Sequence, residues 1–221
     1  MSRVSDREPI SELTTARLSV YLRCLTILEG QQQRTVSSHE LADRFHLNSA
    51  QIRKDLAYFG EFGTRGVGYD VVRLKQHLIE TLGVDRTRNI VIVGAGNLGM
   101  ALADYAGFTS NGFHIVAMLD SDPEKVGRLT RRSIPVVAAE QLGHLVKKNN
   151  VEIGVIAVPT GAAQGVYDAL IDAGVRAVLN FAPIQLRLRE GVKLKSVDLR
   201  INLESLSFYL KNAEDGAMRG L

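Results

Sequence analysis

Tryptophan is absent from the 221-residue chain, and aromatic residues make up only 6% of it. Aromatic-rich sandwiches and modules that stack sugars on indole rings are poor fits to so few rings. The single cysteine, Cys24, excludes an internal disulfide and any multi-cysteine metal site. It sits in an apolar helical pattern and reads as a buried structural thiol. His39, His46 and His77 lack ligand spacing, so no metal is expected. No apolar run approaches the ~18 residues that a membrane span needs. Met1 to Ser11 carries Arg3, Asp6, Arg7 and Glu8 without an apolar centre, which argues against a signal peptide and for the cytoplasm. Charge of one sign is scarce as well. Lys and Arg number 27 against 24 Asp and Glu, and a net charge of +3 permits a nucleic-acid partner without arguing for one.

What is present falls into two regimes. From Thr14 to Glu80 the pattern is helical and rich in Arg, Gln and Ser. From Asn89 to Asn180, β-branched runs alternate with Ala- and Gly-rich helical stretches. Candidate strands are Asn89–Val93, His114–Leu119, Ile134–Val137, Ile153–Val158 and Arg176–Leu179, and alternation of this kind means a parallel sheet. Thr81–Arg88 reads as the linker, and Arg187, Arg189, Lys193 and Lys195 as a basic stretch after the sheet.

In the N-terminal regime, Leu18, Leu22, Leu25 and Leu28 share one face of a first helix, which Gly30 can terminate. Ser37 and Glu40 fit a capping box for a second, short helix. His46-Leu47-Asn48 is a turn, and Asn48 caps a third helix with Gln51 at the reciprocal position; Gly60 stops it. Two helices joined so briefly predict a helix-turn-helix. On the third helix Ile52, Leu56 and Phe59 face inward. Ala50, Lys54 and Ala57 face outward, flanked by Ser49, Gln51, Arg53 and Tyr58, a set that lets a helix sit deep in a groove while long donors reach bases and phosphates. A solvated basic face is the bland alternative. The following stretch, Phe62 to Val71, sets Gly63, Gly66 and Gly68 around Arg65, which predicts a hairpin wing with Arg65 and Gly66 at its tip, poised for the minor groove.

The central regime opens with Asn89–Val93 running into Gly94-Ala95-Gly96-Asn97-Leu98-Gly99, with Met100–Ala106 continuing as a helix. Strand, glycine loop and helix come in the order of a dinucleotide fingerprint: Gly94 for the tight turn, Gly96 for approach to the pyrophosphate, Gly99 for helix–strand packing. Asp120, 21 residues after Gly99, ends the second strand where an acid accepts from ribose hydroxyls and favours NAD(H) over NADP(H). Asp122 competes for this role, Arg128, Arg131 and Arg132 stand nearby, and Asp120 could instead merely open the Asp120–Pro123 turn. Loops at Val158-Pro159-Thr160-Gly161 and Asn180-Phe181-Ala182-Pro183 border the nicotinamide half. Catalysis is not expected. None of Tyr21, Tyr58, Tyr69, Tyr105, Tyr167 and Tyr209 has Lys four residues later, and nothing orients His114 or His144 as a base.

The last helix pattern, Asp198 to about Asn212, places Leu199, Leu203, Leu206 and Leu210 on one face with Ile201 and Phe208 nearly opposite. A helix apolar on two sides is expected to be clamped between two bodies. The reading is therefore an α/β Rossmann-type parallel sheet domain (81–195) behind an N-terminal winged-helix DNA-binding domain (1–80), followed by a C-terminal helix and tail (196–221). A small NAD-dependent oxidoreductase, or a transcription factor sensing a CoA derivative, stays open on these grounds.

This combination resembles the Rex family of redox-sensing transcriptional repressors, on the stretches Val36–Ala42, Ser49–Gly68, Gly94–Phe108, Asn180–Pro183 and Val197–Leu210. The resemblance implies a homodimer with swapped C-terminal helices on palindromic double-stranded operator DNA. It implies that the free or NAD⁺-bound protein holds the operator and that NADH releases it. It also implies a switch network, which by position looks like Arg17, Tyr105 and, from the other subunit, Asp198.

Overall fold

The first helix begins where Ser11 accepts the Thr14 N–H on its hydroxyl at 3.1 Å, and α1 runs Glu12–Gly30. The computed structural model describes residues 10–64, 66–109 and 112–218. The chain divides into two compact units, Met1–Arg86 and Thr87–Leu221. In the first unit α1 buries Leu18, Tyr21, Cys24, Leu25 and Leu28, whereas Leu22 is only partly buried. Gly30 is still helical, and the left-handed residue that turns the chain is Gln32 (φ 60°). β1 (Thr35–Val36) leads into α2 (Ser38–Phe45), which has both halves of its capping box and ends on left-handed His46. α3 (Ser49–Phe59), the hairpin β2 (Gly63–Thr64) and β3 (Gly68–Asp70), and α4 (Val71–Leu82) complete the unit. The three strands form an antiparallel sheet in the order β1-β3-β2. This is a winged helix.

The second unit comprises β4 (Arg88–Val93), α5 (Asn97–Ala103), α6 (Ala106–Thr109), β5 (Phe113–Asp120), β6 (Val136–Ala138), α7 (Leu142–Lys148), β7 (Ile153–Ile156), α8 (Thr160–Ala173), β8 (Ala177–Asn180), β9 (Lys193–Ser196) and α9 (Leu199–Met218). Its six strands are all parallel, in the order β6-β5-β4-β7-β8-β9, with the direction of winding reversing between β4 and β7. Alternate β4 residues feed two cores. Val91 and Val93 pack with α7 and α8, while Ile90 and Ile92 pack with Ala103 and Met118 on the other face. A sheet covered on both sides accounts for the near-continuous apolar runs. Its ligand crevice lies at the carboxyl ends of β4 and β7, where the winding reverses.

Several expected boundaries move. α4 reaches Leu82 and β4 begins at Arg88, so the linker shortens to Gly83–Thr87. β7 stops at Ile156, with one further ladder bond from the Ala157 N–H to the Val93 carbonyl before the chain leaves the sheet. The sixth strand, β9, occupies part of the supposed basic stretch; lysines on an edge strand are a common guard against pairing with another chain. The fingerprint helix does not continue to Ala106. α5 ends at Ala103, since the Asp104 carboxylate accepts the Arg132 N–H and the Tyr105 N–H tightens onto the Leu102 carbonyl. Among the described residues no helix is long and apolar enough to cross a membrane.

Candidate functional site

Helix α3 is anchored inward by Ile52 and Leu56, with Phe59 packed beside them. Outward it presents Ala50, Arg53, Lys54 and Ala57, all exposed, with Ser49, Gln51 and Tyr58 half-buried at its flanks. Small residues between cations let the helix backbone approach a duplex closely. Asn48 Oδ1 accepts the Gln51 N–H at 3.0 Å. The reciprocal bond, in which the Gln51 side-chain oxygen would accept the Asn48 N–H, is not made; the side chain turns along the helix instead and its amide donates to the Asp55 carboxylate at 2.7 Å. Arg53 donates to Ser38 Oγ at 3.0 Å and so is braced against α2.

The wing is a two-stranded hairpin closed by the Val67 N–H donating to the Thr64 carbonyl at 3.0 Å. Gly68, at φ +97°, could not be replaced, since a Cβ there would lie 2.6 Å from the Val36 carbonyl oxygen. Gly66 and exposed Val67 lie at the turn, and Arg65 falls outside the described residues.

Arg17 ties α1 to α3. Its Nε and Nη2 donate to the Asp55 carboxylate at 2.5 and 2.8 Å, and Tyr21 donates to the same group at 2.9 Å. Burial pushes the Asp55 carboxyl up. The hydrogen bonds from Arg17, Gln51 and Tyr21 outweigh it and hold the pKa below the ordinary carboxylate range.

In the second unit the glycine loop bends around two close approaches. Gly94 has φ +106°, and a Cβ on it would lie 2.4 Å from the Ala157 carbonyl oxygen across the switch point. A Cβ on Gly99 would fall 1.9 Å from the Gly94 carbonyl oxygen. Gly96 differs: a Cβ there meets nothing within 4 Å. Gly96 is also the N-cap of α5, so the first N–H groups of that helix, at Asn97, Leu98 and Gly99, belong to a glycine-capped end suited to an anion. The donor set and the open side of Gly96 fit a pyrophosphate.

Asp120, at the end of β5, accepts the Ala95 N–H at 2.7 Å and Lys125 at 3.3 Å on one oxygen, and the Asp122 N–H at 2.9 Å on the other. It therefore does open the Asp120–Pro123 turn. A carboxylate offers about four acceptor positions, so one remains for a ribose hydroxyl. Burial pushes the Asp120 carboxyl up, but these donors prevail and its pKa is lowered. Pro159 is the N-cap of α8, at the mouth of the same crevice.

Tyr105 is exposed in the break between α5 and α6, its ring edge-on to Phe108 and over Gly107. Asp198 Oδ1 accepts the Arg200 N–H at 2.9 Å and caps the start of α9. Buried Asn180 joins this end of α9 to the crevice. Its amide donates to the Ala182 carbonyl and Ser196 Oγ, and its own carbonyl accepts the Val197 N–H.

Family models match both parts: one described as "Putative DNA-binding protein N-terminus" covers residues 9–57, and one described as a CoA binding domain covers 85–184. A redox-sensing transcriptional repressor Rex from Carboxydothermus hydrogenoformans is 50% identical over 202 residues, which is 91% of this chain and 97% of that protein. The Rex of Streptomyces coelicolor is 48% identical over 96% of this chain and 82% of its own. The chain belongs to the Rex family. A solved Rex-family repressor, RSP, in complex with β-NAD⁺ and operator DNA superposes with a TM-score of 0.89 at 35% identity, covering 97% of this chain and 99% of that one. RSP with β-NADH gives 0.83 at 34% identity, over 94% and 97%. Rex proteins are repressors, so the oxidoreductase and CoA-sensor readings fall away; the CoA-binding model describes the glycine-loop sheet that such proteins share.

Sequence reasoning missed two groups in this Rex chain, Asp55 as a hub and Lys125 beside Asp120, and it placed Asn180 at the crevice without its bonds to the base of α9. Lys125 lies five residues past Asp120 in a visible turn and could have been found. Asp55 meets Arg17 and Tyr21 across 38 and 34 residues, and no local spacing announces such a pairing.

Proposed function

We propose that this chain is a Rex repressor that holds operator DNA when free or NAD⁺-bound and lets it go when NADH binds. The observation that carries this is one chain with both halves of the device: an outward Arg/Lys/Gln face on α3 beside a glycine wing, and a glycine cradle that tolerates a Cβ only at Gly96. In this reading Ser49, Gln51, Arg53, Lys54, Tyr58, Arg65 and Gly66 meet the duplex. Gly94 to Gly99, Asp120 and Pro159 hold the dinucleotide, whose two redox forms differ in nicotinamide charge.

We further propose a homodimer on a palindromic site, with α9 inserted into the partner. Every described side chain of α9 from Leu199 to Asn212 is exposed in the single chain, which is the state of a helix whose packing surface lies elsewhere. Arg17, Tyr105 and the partner's Asp198 then form the switch. A ligand moves a two-state dimer only by its difference in affinity for the two states, and a swing from 1:99 to 99:1 takes about 5.5 kcal/mol, which two sites can share.

The test selects bound sequence from random duplexes with purified protein and titrates the selected site with each nucleotide. A palindrome released by micromolar NADH but not by equal NAD⁺ supports the reading. Unaltered binding on adding NADH refutes the switch, and failure to bind any duplex at low salt refutes the DNA reading.

A further inference from the structure

Asp55 is buried at 4% exposure, a charged residue on the side of α3 that also carries Ile52 and Leu56. It stands one turn beyond Gln51, and its carboxylate accepts from Arg17 twice, from Tyr21 and from Gln51 Nε2. A carboxylate only accepts. The Gln51 amide can therefore meet it with nitrogen and never with oxygen, which fixes the way the amide is turned. One N–H of Gln51 serves Asp55. With the N–H trans to Oε1 given to Asp55, Oε1 and the second N–H lie side by side, an acceptor next to a donor, and that pair complements the N6 and N7 edge of adenine in the major groove. Arg17 and Tyr21 keep the carboxylate from following the glutamine outward, since both donate to it from α1. The backbone of Gln51 is held independently by the Asn48 cap.

We infer that Asp55 is a positioning residue that sets the amide face of Gln51, and that Gln51 so held reads an adenine in each half-site. The inference rests on the DNA-binding reading above and adds which side chain carries base choice and what orients it. Arg53 and Lys54, as pure donors, hold position on phosphates or guanines and cannot supply the acceptor that adenine N6 requires.

The experiment titrates wild type, Gln51→Ala and Asp55→Asn against operators bearing each base pair at every half-site position, with a melting curve for each protein. Wild type should prefer adenine at one position by about tenfold or more. Gln51→Ala should flatten that position alone. Asp55→Asn offers an amide nitrogen to the glutamine oxygen, so Gln51 can turn over; the same position should flatten by a similar factor, with binding to non-operator DNA unchanged. Adenine preference retained in either variant, or a uniform loss at every position, overturns the inference. If Asp55→Asn does not fold, Asp55→Ser decides, as its hydroxyl can donate to the glutamine oxygen as well as accept and so no longer fixes the amide. Reduced preference at the Gln51 position then supports the inference, and an unaltered profile overturns it. A wild-type protein that selects no site at low salt overturns the DNA reading and this inference together, whereas a selected site without adenine dependence on Gln51 overturns this inference alone.

Discussion

Replacing Gly96 and Gly99 one at a time by alanine separates the two jobs of the glycine loop. At Gly99 the new Cβ would sit 1.9 Å from the Gly94 carbonyl oxygen and 3.2 Å from Met118 Cε. Real Cβ contacts under 3.0 Å essentially never occur, so β4 and the start of α5 must part by about 1 Å. Overpacking of this kind costs about 1–3 kcal/mol, which in a chain of this length lowers the melting temperature by roughly 3–10 °C. Nucleotide binding falls with it. At Gly96 the added methyl meets nothing within 4 Å, and its φ of −82° suits any residue. Alanine there should change stability by less than about 1 kcal/mol, because the gain through the stiffer unfolded chain is opposed by alanine's poor fit at an N-cap. It would nonetheless stand between the loop backbone and a pyrophosphate. Losing one charge-assisted hydrogen bond costs about 1.5–3 kcal/mol, so NADH affinity should drop by roughly 10- to 100-fold. The assays are thermal denaturation and titration of NADH fluorescence. A Gly96→Ala protein that binds NADH like wild type would refute the assignment of Gly96 as the point of closest approach, and a Gly99→Ala protein of unaltered stability would refute the packing argument.

Lys54→Ala should weaken binding to every duplex about equally and reduce the slope of log affinity against log salt by about 1, measured by anisotropy at several salt concentrations. Asp55 has a lowered pKa, so its contribution to stability is present above the unfolded carboxyl value of about 4 and is lost as pH falls below it. Urea unfolding at pH 7, 5 and 3 should therefore show a smaller acid loss for Asp55→Asn than for wild type, and equal losses would contradict the sign. Leu206→Arg places a charge on the exposed leucine face of α9; sedimentation should show a monomer with an unaltered far-UV spectrum, and a dimer that persists would place the interface elsewhere.

What could be read in advance was whatever depends on a few neighbouring residues. Ser37 and Glu40 predict the capping box because both partners lie within one turn, and Gly94 and Gly99 predict the loop because only a missing side chain permits those approaches. β9 escaped because Lys193 and Lys195 read as charge rather than as the outward alternation of an edge strand around half-buried Leu194. The break at Asp104 escaped because its cause, the Arg132 N–H, lies 28 residues away. Arg17 was named only through the family resemblance, as a partner of Tyr105 and Asp198, and its bond to Asp55 was not foreseen. In the chain it is bound to Asp55, which gives the switch proposal a definite starting state on the DNA-binding unit.

The two faces of α9 carry the remaining argument. Leu199, Ile201, Leu203, Leu206, Phe208, Tyr209 and Leu210 are between 59% and 67% exposed. Covering the open portion of each is worth about 1–2 kcal/mol, so one helix holds on the order of 10 kcal/mol and a symmetric pair about twice that. Association costs an estimated ~4–15 kcal/mol, so in the proposed dimer two exchanged helices would supply apolar burial of the size needed to offset it. In the proposed dimer such a clamp would also answer to what happens at its root. Asp198 caps the helix, Val197 is bonded to Asn180, and Asn180 organises the loop at the carboxyl end of β8, beside the crevice where the winding reverses. A change at the nucleotide end of the sheet is thus one layer of hydrogen bonds from the base of the clamp.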